Sequence, residues 1–332
     1  MTSFSTLSND VEPPSMESKD EETALDSALY EDRLPRWRTS SQQRSRFIDA
    51  LWVGLNASAT IAIVFMNKFV FADPQLRKAQ IMISMWHFAA TFIVLCAASR
   101  GSRRLFTPIR LPTLQVLPLS AFFAGFLLLN NLSLATNPVG VYQLAKILTA
   151  PAVVWINFIL FRKTIERNKI LAVLITCTGV GIVSVDALRT NVIGTAIAGA
   201  AVTITACYQI WIGKKIVDLG VEAPQLLLNQ SATAVCLLIP ISLCIDTFPD
   251  FSIIPANTLR FLFAGGIVAS FINLSQFMII GRTSALTFNI VSNIKMLSIL
   301  SLGWYSEGRI FTLVDVVGIL LAFSGAWWYT KS

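Results

Sequence analysis

Two lysines stand where membrane chains rarely keep a charge. Lys146 lies in GVYQLAKILTAPAVVWINFILF, from Gly140 to Phe161, and Lys295 lies in an apolar run from about 284 to 304. Each run is long enough to cross a bilayer, where a charged side chain costs about 2.5–3.5 kcal/mol on insertion scales. Either lysine stem could carry its ammonium group to an interface. A pair at matching places points instead to use. Two ammonium groups facing one water-filled cavity repel each other. An anionic substrate, most simply one with phosphates, relieves that repulsion, and lysine binds phosphate as a point charge.

Other polar residues share these runs. Tyr142 lies four residues before Lys146, and Phe288 seven before Lys295. Offsets of four and seven keep to one helix face, so each lysine has an aromatic ring on its own side. Tyr142 with Gln143 offers an aromatic face and a hydrogen-bonding tip, suited to a base or a sugar. Asn289 and Asn293, spaced i, i+4, are candidates to line the same site. Tyr208, beside Gln209, is a further candidate, for which an interhelical hydrogen bond is an equal explanation, as it is for Asn229 and Gln230. Lys68 follows Asn67 at the end of the first run, where snorkelling competes with substrate contact.

The elements that hold these residues are membrane helices. The chain is 54% hydrophobic and only 14% charged, with a mean hydropathy of +0.64. Ten apolar runs are long enough to span: 47–70, 80–98, 113–134, 139–160, 170–188, 192–212, 224–245, 259–280, 284–304 and 310–330. Runs this long exceed the strands of a barrel, so the expected fold is an all-α membrane protein with ten transmembrane helices. Short connections such as Thr136-Asn137-Pro138 and Gly281-Arg282-Thr283 make consecutive helices antiparallel. Residues 1–46 are polar and rich in Ser, Pro and acids, and are expected to be a disordered cytosolic tail. The acids argue against a transit peptide, and no apolar core marks a cleaved signal.

Charge sets the orientation. Of the Lys and Arg flanking the runs, sixteen lie on the tail's side and five on the other. Both termini are therefore expected in the cytosol. The same bias accounts for the net charge of +7 without nucleic acid as a partner. The five cysteines all fall within runs and form no CxxC, and His87 is the only histidine. Neither a disulfide frame nor a zinc site is expected, and no nucleotide-binding loop or nucleophile elbow appears. No cofactor is implied.

The chain also repeats itself. Asn131-Leu132-Ser133 and Asn273-Leu274-Ser275 each precede a tight turn and then a lysine-bearing run; the run after each carries glycines, Gly179 and Gly181 in one, Gly318 and Gly325 in the other. Runs one to five match six to ten. Five is odd, so the halves, about 47–188 and 192–330, should be inverted relative to each other, a common plan of secondary transporters.

These motifs carry a resemblance. NNLSLATNPVGVYQLAKILTAP, IVFMNKFVF, ACYQIWIGKK, INLSQFMIIGRTSALTFNIVSNIKM and DVVGILLAFSGAWWY resemble the triose-phosphate-translocator and nucleotide-sugar-transporter family, solute carrier family 35 of the drug/metabolite transporter superfamily. The likeness covers about 47–330 and is nearest the E subfamily and the related plant UDP-sugar transporters. It implies that Lys146 and Lys295 are the two substrate lysines. Plastid phosphate translocators carry an arginine after the second lysine; here Met296 follows it, and the FYNN and GALNK motifs of the GDP-mannose branch are absent in that form. The resemblance therefore implies an antiporter in the Golgi membrane, with the endoplasmic reticulum or another endomembrane as the alternative. It would carry a nucleotide sugar, a UDP-sugar first, to the lumen in exchange for a nucleoside monophosphate. It implies no metal or ATP and leaves room for a homodimer. The rival readings are a translocator of another phosphorylated anion, such as triose phosphate or phosphoenolpyruvate, a membrane scaffold or receptor without flux, and a membrane enzyme, for which acid/base and nucleophile clusters are lacking.

Overall fold

The structure is a computed structural model that describes residues 42–101, 104–137, 139–162, 164–184, 192–306 and 312–331. The expected tail, apart from its last residues, and the end of the fifth run, 185–188, lie outside the described residues.

Ten α-helices form among the described residues: α1 (Gln42–Val70), α2 (Gln80–Ala98), α3 (Thr113–Thr136), α4 (Val139–Phe161), α5 (Arg167–Ser184), α6 (Val192–Asp218), α7 (Ala223–Ile245), α8 (Ala256–Arg282), α9 (Ala285–Ser306) and α10 (Leu313–Lys331). A single 3-10 turn, Leu76–Lys78, precedes α2. The elements are all helical, with no strand among the described residues. Seven of the helices, α1, α2, α3, α6, α7, α8 and α10, are long and apolar enough to cross a membrane, and Ala145–Phe161 of α4 is a shorter apolar stretch. The chain is an all-α, multi-pass membrane protein. Helices are the form such a chain must take, because each satisfies its own backbone where no water can.

Helix ends follow local chemistry. Pro112 and Pro255 sit just before α3 and α8; proline cannot continue a helix backward but fits its start. At α7 the Gln225 side chain turns back to accept from the Glu222 backbone N–H at 2.8 Å, satisfying a donor that the first turn leaves unpaired. The first helix starts at Gln42, ahead of the expected 47. Polar residues can extend a membrane helix past the hydrocarbon, so apolar length marks the span and not the helix end.

Lipid is as apolar as leucine, so these helices are not driven together by hydrophobicity but by close approach and hydrogen bonds. Both are visible. A Cβ on Gly179 would lie 2.4 Å from the Ala322 backbone N and 2.6 Å from the Gly318 carbonyl oxygen, and one on Gly325 2.6 Å from the Thr176 backbone N. Glycine at these two positions lets α5 and α10 touch backbone to backbone, antiparallel. Helices α1 and α8 are also antiparallel, tied by Asn56 Nδ2 donating to Ser275 Oγ at 2.8 Å and by the Arg282–Asp49 ion pair at 2.5 Å. Asn130 donates to Thr205 Oγ1 at 3.1 Å and Asn137 to the Gly194 carbonyl at 2.9 Å, joining α3 to α6 in the same sense. Helices α2 and α7 are joined where α2 begins and α7 ends, and the start of α7 holds the segment that follows α2. The Asp246 carboxylate after α7 accepts from the Ile81 and Met82 N–H groups at 3.2 and 2.6 Å, and Gln225 donates to the Thr107 carbonyl at 2.8 Å.

The largest buried cluster is aromatic and apolar. Phe88 of α2, Phe123 and Phe126 of α3 and Tyr208 of α6 stack with centroids 4.2 to 6.1 Å apart, and residues of α7 and α8 pack around them. A second cluster joins Ala150 and Val153 of α4 to Leu286 and Ile290 of α9, with Val173, Ala206 and Ile210. It brings the two lysine-bearing helices side by side.

Candidate functional site

Helices α4 and α9 run antiparallel: Ile147 and Leu297 share one cluster, while Ala150 and Val153, further along α4, share another with Leu286 and Ile290, further back on α9. This packing places Lys146, next to Ile147, and Lys295, two residues before Leu297, beside the cluster that the two helices share. Lys146 is exposed and Lys295 half-buried. An exposed ammonium two turns inside such a helix calls for a wet recess, since hydrocarbon would penalise it.

Each ammonium lies over an aromatic ring of its own helix. Lys146 Nζ is 4.4 Å from the Tyr142 centroid, and Lys295 Nζ is 5.3 Å from that of Phe288. These are the rings that the offsets of four and seven single out. A cation over a ring face gains about 0.5–1 kcal/mol at exposed sites and more where water is scarce. Among the described residues this is the one contact of the Lys146 ammonium. Lys295 has more: its Nζ donates to Asn56 Oδ1 and, at 3.4 Å, to Thr60 Oγ1, both on α1.

The other candidates part company here. Asn289 is buried; its Nδ2 donates to Gln209 Oε1 of α6 and to the Ala285 carbonyl at 2.8 Å. Asn293, also buried, donates to Cys177 Sγ of α5 at 3.7 Å. Both asparagines tie α9 to helices α5 and α6, while Lys295 reaches α1. Residues two apart point about 200° apart around a helix, so Asn293 and Lys295 turn away from each other. Tyr208 is buried in the aromatic cluster, its hydroxyl accepting from Gln230 at 3.0 Å and its ring stacked on Phe126. Lys68 is exposed in the last turn of α1, two turns beyond Thr60, or about 12 Å along the axis. Gln143 lies on α4, and its side chain falls outside the described residues.

Sequence reasoning passed over Asn56 and Thr60. Asn56 is wholly buried in an apolar helix, and that polar residue in an apolar run was the available signal. No group of three or more His, Cys, Asp or Glu that could hold a metal occurs among the described residues. A cavity of about 380 Å³ opens elsewhere, between α4 and α5, lined by Pro151, Trp155, Phe158, Ile165 and Val173 among others. Its walls are almost wholly apolar and carry no charged side chain to meet a phosphate.

The Triose-phosphate Transporter family matches residues 47–330. The chain belongs to that family, whose members are transporters and not enzymes. UDP-xylose transporter 1 of Arabidopsis thaliana is 26% identical over 286 residues, covering 83% of this chain and 81% of that protein. UDP-rhamnose/UDP-galactose transporter 2 of the same plant is 25% identical, with coverages of 82% and 79%. UDP-xylose transporter 2 is 28% identical, with 82% and 78%. A chain solved by crystallography, 14% identical, superposes with a TM-score of 0.68 over 88% of this chain and 99% of its own. At that identity the likeness concerns the fold alone.

Proposed function

We propose that the protein is a secondary transporter exchanging a nucleotide sugar, a UDP-sugar first, for a nucleoside monophosphate across the Golgi membrane, with both termini in the cytosol. All ten helices cross the bilayer, as two inverted repeats of about 47–188 and 192–330. The packing supports this plan. Adding five to each number in the pair α1–α8 gives α6–α3, and the pairs α2–α7 and α5–α10 map onto themselves; each pair is antiparallel.

One observation carries the substrate class. Lys146 and Lys295 stand on two packed helices, one per repeat, beside a cluster that both helices share and each with a ring of its own. Two cations held together need an anion with charge to spare. A diphosphate supplies it, and Tyr142 stands ready to stack on a base or sugar. The UDP-sugar names of the relatives support the nucleotide part. Met296 packs into the apolar cluster of Ile147, Val180 and Leu297, so that position adds no third cation for a small, highly charged phosphate. An empty site with two cations is costly to carry through the bilayer, which favours return of the carrier loaded, hence exchange. Asn289, Asn293 and Tyr208 hold the helices in register around the site, and Gln143 remains a proposed contact.

The test is counterflow in proteoliposomes with radiolabelled UDP-sugars, GDP-sugars, triose phosphate and phosphoenolpyruvate. Uptake of UDP-sugars driven by internal uridine monophosphate is expected. Uptake of triose phosphate in their place would move the protein to the other branch, and no flux of any anion would favour a scaffold.

A further inference from the structure

Lys295 does not wait in open space. Its ammonium is bound by two acceptors on α1, the Asn56 side-chain carbonyl and Thr60 Oγ1. The geometry around Asn56 leaves it little choice of orientation. Its Nδ2 donates to Ser275 Oγ at 2.8 Å and to the Ile272 carbonyl at 3.3 Å, so Oδ1 must face the lysine. The Thr60 hydroxyl spends its proton on the Asn56 backbone carbonyl at 2.6 Å, which turns its lone pairs toward Lys295. The α1–α8 pair thus presents two built acceptors to α9, and α1 and α9 otherwise touch sparingly. Among the described residues Lys146 has no such partner on the opposite helices. The asymmetry is specific to one of two otherwise matched lysines.

We infer that Asn56 is a positioning residue for exchange: with Thr60 it holds Lys295 in the unloaded carrier, and the substrate's phosphate takes the lysine from it. The inference rests on the reading of Lys146 and Lys295 as phosphate-binding groups. A neutral amide oxygen accepts from an ammonium, but a phosphate oxygen with its full charge accepts more strongly. The exchange of partners releases α9 from the α1–α8 pair only when the site is occupied. In the empty protein the same contact fastens the two halves together, because α1 belongs to the first and α9 to the second. Loaded carriers can then move and empty ones are held, which is what separates exchange from leak. A ligand shifts such an equilibrium only through its different affinity for the two states, and the Lys295–Asn56 contact is one source of that difference.

A purely structural Asn56 would behave otherwise. Its loss would lower stability and reduce every flux together. The positioning role moves two readouts in opposite directions. In proteoliposomes loaded with radiolabelled uridine monophosphate, one compares efflux into buffer with efflux into external uridine monophosphate. Asn56→Leu, near in volume, and Thr60→Val, nearly isosteric, should each raise one-way efflux relative to exchange several-fold and lower the KM for uridine monophosphate. Asn56→Asp should do the reverse, since its carboxylate competes with phosphate for Lys295; the KM should rise about tenfold or more, the factor that a modest added contact produces. Should Asn56→Leu fail to fold, Thr60→Val and Asn56→Asp carry the test. An unchanged ratio of efflux to exchange in Thr60→Val together with an unchanged KM in Asn56→Asp overturns the inference. A wild-type protein that moves neither uridine monophosphate nor any UDP-sugar overturns the phosphate reading beneath it, and does so before any variant is made.

Discussion

Replacing each lysine with methionine separates charge from bulk. Methionine keeps an unbranched stem of similar length and removes only the ammonium. Consider first what the fold loses. Lys295→Met leaves Asn56 Oδ1 without its donor, a cost of about 1–3 kcal/mol for a buried acceptor. It also removes a charge whose membrane cost is about 2.5–3.5 kcal/mol. The two offset each other, so the variant should fold. Lys146→Met gives up only the contact with Tyr142 and should fold at least as well. Binding is another matter. A charge-assisted contact with phosphate contributes about 1.5–3 kcal/mol, roughly ten- to a hundredfold in affinity. Lys146 gains all of it, having nothing else to give up but the ring. Lys295 must first surrender Asn56 and Thr60, so its net gain is smaller, and Lys146→Met should weaken uridine monophosphate more than Lys295→Met does. Ligand-induced thermal stabilisation of purified protein reads this directly. At a hundred times Kd the wild type gains about 2.7 kcal/mol, and a variant with a hundredfold weaker Kd gains about 0.4 kcal/mol at the same concentration. Wild-type stabilisation in both variants, or in the double variant, would refute the site.

Three further outcomes are expected. Tags at Met1 and Ser332 should both be cut by protease added to the cytosolic side of sealed vesicles; protection of either one contradicts an even number of spans. Inorganic phosphate and triose phosphate should compete poorly with uridine monophosphate in a counterflow assay, because Met296 lies in an apolar cluster; strong competition by triose phosphate would reverse that reading. Gly325→Ala should destabilise the protein by about 1–3 kcal/mol, since the added methyl meets the Thr176 backbone and hydroxyl at 2.6 Å and backbone cannot yield; an unchanged melting temperature in detergent would show that α5 and α10 part at no cost.

Much of the architecture was legible in the residues. The apolar runs fall on every described helix, most ends within three residues, though α1 begins at Gln42 against 47 and α6 ends at Asp218 against 212, and 185–188 lie beyond what the structure describes. Apolar length against bilayer thickness is a local property that needs no knowledge of neighbours. The rings over the lysines were equally legible, because helical offsets of four and seven fix which side chains of one helix share a face. The same arithmetic, applied to Asn293 and Lys295, would have set them on different faces.

What neighbours each helix turns to meet was not legible. In a soluble helix an apolar stripe marks the buried side, but these helices are apolar all round, and lipid and protein accept the same residues. Only the packed structure therefore places Tyr208 in the aromatic cluster against Phe126 and Lys68 at the far end of α1 from Thr60. Asn56 and Lys295 stand 239 residues apart in the chain, so their contact exists only once α1, α8 and α9 are packed. The sequence by itself determined the apolar runs, their charge bias and the two cations; the tertiary structure alone decided which of those cations has a hydrogen-bond partner among the described residues, because in a bilayer the rotation of a helix is set by the few hydrogen bonds and close glycine contacts it makes with others.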